Sequence, residues 1–181
     1  MNLTSRTARR VAVAAAVACA ALVAPAIALA SPASPARTAA PTTPPCETPG
    51  LVEWLDTNGS GAAGSTFYTM NFTNLSGHAC TLNGFPFLFA VSLTGKQIGS
   101  DATFNHHPAP RTVTIGNGKT VTAQLQIVVA QNYSKSLCGK VVTAAGLKVF
   151  PPNQQRAKII PFPFSACEST HAQILTVGAV R

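Results

Sequence analysis

From residue 51 onward the chain alternates apolar and polar side chains and seldom repeats them at helical spacing. Residues 120–129 are the clearest case. Val121, Ala123, Leu125, Ile127 and Val129 occupy one phase, and Thr120, Thr122, Gln124, Gln126 and Val128 the other. A period of two sends the first set to a core and the second outward, the pattern of a half-buried strand. Gly116-Asn117-Gly118 precedes it as a tight turn, and residues 111–115 supply the second arm of a hairpin through Val113 and Ile115. Residues 66–74 alternate through Tyr68, Met70 and Phe72, and residues 87–93 through Phe87, Phe89, Val91 and Leu93. Shorter candidates are residues 51–56, 147–150, 157–160 and 174–180. About eight strands separated by Gly, Pro and Asn turns predict an all-β fold, with a two-sheet Greek-key sandwich favoured.

The first thirty residues break this pattern. Arg6, Arg9 and Arg10 precede an Ala/Val-rich run that ends in Ala28-Leu29-Ala30. A basic start, an apolar run and small residues at the cleavage positions predict a secretory signal peptide over residues 1–30. Ala16-Val17-Ala18-Cys19 only loosely resembles a lipoprotein box, and the apolar run continues past it, so Cys19 is expected to be discarded. An uncleaved signal anchor is the rival reading. Residues 31–45, rich in Pro, Ala, Ser and Thr, read as an extended spacer. Residues 46–181 then form one domain. The expected localisation is secreted or extracellular, with cell-wall association and no stable membrane span after cleavage.

Composition narrows the partners. The full chain carries a formal charge of +8, and its positive residues are scattered rather than gathered on one run. Mild attraction to an anionic cell-wall polymer fits that charge, and a nucleic-acid groove does not. Four cysteines follow the signal: Cys46, Cys80, Cys138 and Cys167. In an exported chain they imply two disulfides, with three possible pairings. The sequential pairing, Cys46–Cys80 and Cys138–Cys167, is the expected one. No CxxC spacing occurs, which disfavours zinc or a redox pair.

Several segments taken in order resemble a known family. They are Gly61-Ala62-Ala63-Gly64-Ser65, Phe72-Thr73-Asn74-Leu75-Ser76-Gly77-His78-Ala79-Cys80, Gly84-Phe85-Pro86, Leu147-Lys148-Val149-Phe150-Pro151-Pro152 and Pro163-Phe164-Ser165-Ala166-Cys167. With the four cysteines, they make residues 46–181 similar to the exported actinobacterial family "domain of unknown function 4232". That resemblance implies a secreted or envelope-attached immunoglobulin-like β domain and supplies no catalytic residues. Members are often lipoproteins, and this chain departs from them in having only the poor box at Cys19.

The chemical inventory is thin. After residue 45 the acids are Glu47, Glu53, Asp56, Asp101 and Glu168, and no GxSxG elbow, phosphate loop or dinucleotide fingerprint appears. Glu53 and Asp56 read as a solvated strand edge. The expectation is therefore a non-catalytic binding or structural module without a cofactor, against a wall-active hydrolase or an extracytoplasmic metal-handling protein. For metal handling, His106, His107, His78 and His171, with Met70, are the candidate ligands; solvated loop histidines are preferred. Two Phe/Pro segments, residues 85–89 and 161–164, remain. Prolines keep the second out of a central strand. Its Phe162 and Phe164 either cap the core, the preferred reading, or form a contact patch to which His106 and His107 are added. Contacts are expected from loops at one end: residues 58–65, 101–111 and 161–164.

Overall fold

The computed structural model describes residues 42–181. The expected signal peptide, Cys19 and the spacer up to residue 41 lie outside the described residues. Eleven strands carry the fold: β1 (Leu51–Ala62), β2 (Ser65–Asn74), β3 (Cys80–Asn83), β4 (Phe87–Val91), β5 (Gln97–Asp101), β6 (Thr103–Asn105), β7 (Thr112–Ile115), β8 (Thr120–Val128), β9 (Val141–Phe150), β10 (Lys158–Cys167) and β11 (Leu175–Gly178). One helical turn, α1 (Lys135–Cys138), separates β8 from β9.

A five-stranded sheet in the order β1-β2-β8-β11-β6 packs on a four-stranded sheet, β10-β9-β4-β5, while β3 and β7 form a small third sheet. The arrangement is an all-β sandwich. Strand β5 ends at Asp101 in one sheet and β6 begins at Thr103 in the other, so the chain crosses between layers at that side. The ladder of β6 with β11 is parallel, and those within the two larger sheets are otherwise antiparallel.

The alternation of β8 holds from Thr120 to Val128, while Val129, expected in the core phase, lies past the strand end and is exposed. Val121, Ala123, Leu125 and Ile127 are buried, and Thr120 and Gln124 are exposed. Met70 and Phe72 of β2, Leu88 and Ala90 of β4, Leu147 and Val149 of β9, and Leu175 and Val177 of β11 complete the core. The three strands beyond the expected eight, β3, β5 and β6, run four, five and three residues. Such lengths show too little alternation to be read locally; β3 and β6 exist because a distant partner completes their ladders, and β5 because it folds back on β4.

Both disulfides form as expected, Cys46 with Cys80 and Cys138 with Cys167, at sequence separations of 34 and 29 residues. Closing loops of that size restricts the unfolded chain by about 3.5 to 4 kcal/mol each. The Asn74-to-Cys80 segment owes its turn to Asn74, which is wholly buried. Its side-chain amide donates to the carbonyls of His78 at 2.7 Å and Ile115 at 2.8 Å, and its Oδ1 accepts from the Ser76 amide and hydroxyl. A single side chain thereby satisfies the backbone of the β2–β3 turn and ties it to β7.

The proline-rich 161–164 segment belongs to β10, an edge strand, where missing N–H donors cost no ladder bond on the open side. Between Pro161 and Phe164 two residues of β10 face one of β9. Gly146 of β9 sits there because a Cβ would run into the Ile160 carbonyl.

Candidate functional site

Phe162 and Phe164 are half-buried and pack against the core. The Phe162 ring meets Tyr68 edge-on at 4.9 Å, with Phe164 5.9 Å away. A shallow notch of about 210 Å³ lies beside them, walled by Tyr68, Phe164, Ile127 and Val129. The β1–β2 tip closes the same end: Ser65 aligns with Val128, and the Asn132 amide donates to the Gly64 carbonyl. His106 and His107 lie at the opposite end. There Asn105 aligns with Gly178, and the backbone of Arg181 pairs with Thr122. The strand directions thus separate the residues expected to cluster: residues 58–65 and 161–164 share one end, and the segment 101–111 runs from Thr103, level with Gln126 near that end, to His106 and His107 at the other.

The histidines are dispersed. His106 packs against Phe85 at 4.9 Å, His78 lies in the β2–β3 turn, and His171 shares a 3.0 Å hydrogen bond with the Ser169 hydroxyl. Among the described residues, no three His, Cys, Asp or Glu side chains gather as a metal site would require.

Glu53 departs from the expected solvated edge. Apolar residues stand in both phases of β1, Leu51 and Leu55 in one, Val52 and Trp54 in the other. The core took the first pair, and Glu53 shares its phase. Glu53 therefore aligns with Phe72 and Val121 on the inner face. Both carboxylate oxygens are buried with no hydrogen-bond partner among the described residues. Burial pushes its pKa from 4.5 up to about 7, against the opposing pull of the Lys158 ammonium. Lys158 itself reaches from β10 to donate to the Leu51 carbonyl. Asp56, three residues on, stands in the other phase of β1, so the two acids do not face each other across a cleft.

What the sequence reading missed lies on the outer face of the four-stranded sheet. Phe89 of β4 aligns with Lys148 of β9, which aligns with Ile159 of β10; in the neighbouring row Phe87 aligns with Phe150. The rings of Phe87, Phe89 and Phe150 stand 5.6 to 6.2 Å apart. The Lys148 ammonium lies 5.9 Å from the Phe89 ring and 5.8 Å from the Phe150 ring, which is cation–π range. Ile159 is 55% and Phe87 37% exposed. Of the nine phenylalanines in the chain, Phe72 alone is fully buried. The available signal was Phe87 and Phe89 sharing a phase: that alternation marks one face of a strand without saying which face is inside.

No helix among the described residues is long and apolar enough to cross a membrane. No curated protein matches the chain. A family model described as "Domain of unknown function (DUF4232)" matches residues 46–181. Its span takes in both disulfides, both large sheets and the aromatic face, and the chain belongs to that family.

Proposed function

We propose that the protein is an exported, non-catalytic binding module of the cell envelope or extracellular space. It meets its partner, a protein or an anionic cell-wall polymer, through the aromatic outer face of the four-stranded sheet. The carrying observation is the cluster of Phe87, Phe89 and Phe150 around Lys148 on the outer face of the sheet, with Phe87 exposed and the other three half-buried. Apolar rings placed outward lower solubility unless something covers them. Aromatic anchors with few rotatable bonds lose little entropy on contact. A cation between the rings favours an acidic partner surface. The two disulfides suit an oxidising compartment.

Capture from a native envelope extract, with the chain as bait, tests the proposal. Replacing Phe87 and Phe150 together with Ser is expected to abolish capture while moving the melting temperature only slightly. Capture undiminished by the double change would overturn this assignment of the contact face.

A further inference from the structure

One row of residues crosses the whole four-stranded sheet: Asp101 of β5, Phe89 of β4, Lys148 of β9 and Ile159 of β10. Residues aligned across antiparallel neighbours share a face, so all four point to the same side. The next residue, Ala102, is buried and donates its amide to the Leu88 carbonyl, which leaves Asp101 in the outward phase with Phe89. Asp101 is exposed, and its Oδ1 accepts from the Gln97 side-chain amide at 2.8 Å. On the other flank of Phe89, Lys148 is held by the two rings beneath its ammonium. Two strand spacings, roughly 10 Å, separate the backbones of the acid and the base, with Phe89 between them.

We infer that this face is the contact between two copies of the chain, a step that rests on the aromatic surface being a contact face. An order of acid, ring and base is complementary to itself when turned over. A two-fold axis along β4, between two facing sheets, lays Lys148 of each copy against Asp101 of the other. Phe87 and Phe89, on the strand that follows the axis, meet their own counterparts. Facing sheets pack about 10 Å apart, which opposed side chains of this length span. The contact is then an aromatic seam with a reciprocal ion pair on either side. An anionic polymer is the poorer occupant, because Asp101 stands beside Phe89 and repels it. Two copies of a chain with a formal charge of +8 repel each other overall. At physiological ionic strength, charges more than about 8 Å apart are largely screened, and the facing pairs lie closer than that.

Sedimentation equilibrium of the full disulfide-bonded chain, from about 1 μM to about 1 mM, measures the association. An aromatic patch with two rim ion pairs is small for a specific interface, so a dimer with a Kd of about 10 to 100 μM is expected. Asp101→Lys and Lys148→Glu, each alone, set like charges face to face at both ends of the row. Each is expected to weaken the dimer about tenfold or more. Mixed together, the two variants oppose unlike charges again and are expected to recover most of that loss as a heterodimer. Such recovery requires both variants to be folded. The Phe87→Ser, Phe150→Ser double variant is expected to be monomeric. A wild type monomeric throughout the range, a dimer that survives both charge changes, or a mixture that fails to associate overturns the inference. A monomeric wild type that binds soluble polygalacturonate through Lys148 overturns it in favour of the polymer. A monomeric wild type whose capture from envelope extract is still lost on the double serine change refutes the second copy and leaves the contact face standing. A dimer untouched by the two serines refutes the face itself.

Discussion

The two outer faces of the sandwich obey the same strand geometry and present opposite chemistries. On the five-stranded sheet the outward phase is mostly Thr, Asn and Gln around one indole, with Val52, Phe67 and Asp56 among them and hydroxyls bonded to one another. On the four-stranded sheet it is phenylalanine, isoleucine and a lysine held over two rings. The inner phases of the two sheets, by contrast, share Leu, Val, Ile and Ala, with Met70, Phe72 and Glu53 added on the five-stranded side. Folding therefore requires little that differs between the sheets. What differs is turned outward, where packing does not dictate residue type and a contact can.

The sharpest break of this comparison is among the phenylalanines themselves. Phe72→Ala, inside, is expected to cost about 3 to 5 kcal/mol, as large-to-small core changes do. Phe87→Ala, outside, is expected to cost about 1 kcal/mol or less. Chemical denaturation of both variants checks the contrast; equal losses would mean that the aromatic face is part of the core.

Phe162 and Phe164 lie between these extremes. Half-buried against Tyr68 at the end of the sandwich, they are expected to act as core caps. The double change to Ser should cost about 2 to 4 kcal/mol. A variant whose melting temperature barely moves would place them with the outward aromatic set instead.

A smaller effect tests the inner face of β1. Because the folded pKa of Glu53 is raised to about 7 from 4.5, the folded state holds its proton where the unfolded chain has lost it. The stabilisation is fully present below pH 4.5 and is lost as pH rises through about 7. Discounted for the solvent that reaches this partly exposed residue, the change is about 1 to 2 kcal/mol. Glu53→Gln should flatten this part of the pH profile and gain stability at pH 8. Urea melts at pH 5 and pH 8 measure both, and an unchanged slope in the variant would assign the pH dependence to another group.

Much of the fold was legible because β8 and β2 alternate without ambiguity, and because four cysteines have few ways to pair. The misreadings have one cause. Alternation gives two phases, and the choice between them belongs to the neighbouring strand. Leu51 and Leu55 face Asn74 and Met70, which carried Glu53 inward against its charge. Phe87 and Phe89 looked like core by composition, yet Leu88 and Ala90 face the other sheet. Strands β3 and β6 were invisible for a related reason: their partners lie far along the chain, as β6 shows in pairing with β11, while β5 pairs locally with β4 but is too short to show alternation. The contact loops were mis-grouped because which end a loop occupies depends on strand direction, which a linear sequence does not display.

The first disulfide has a mechanical consequence. Cys46 opens the matched domain and is bonded to Cys80, and Pro44 and Pro45 already lie against Thr81. A pull on the chain from before residue 46 therefore enters the fold through sulfur at β3. It does not peel edge strand β1 away from β2, since both lie inside the closed loop and outside the covalent load path. The second disulfide shields β9 and β10 in the same way. Trp54, Lys148 and Phe150 would be stretched apart only by force applied at their own surfaces, so a domain tethered at its N-terminus keeps β1, β9 and β10 outside the line of traction.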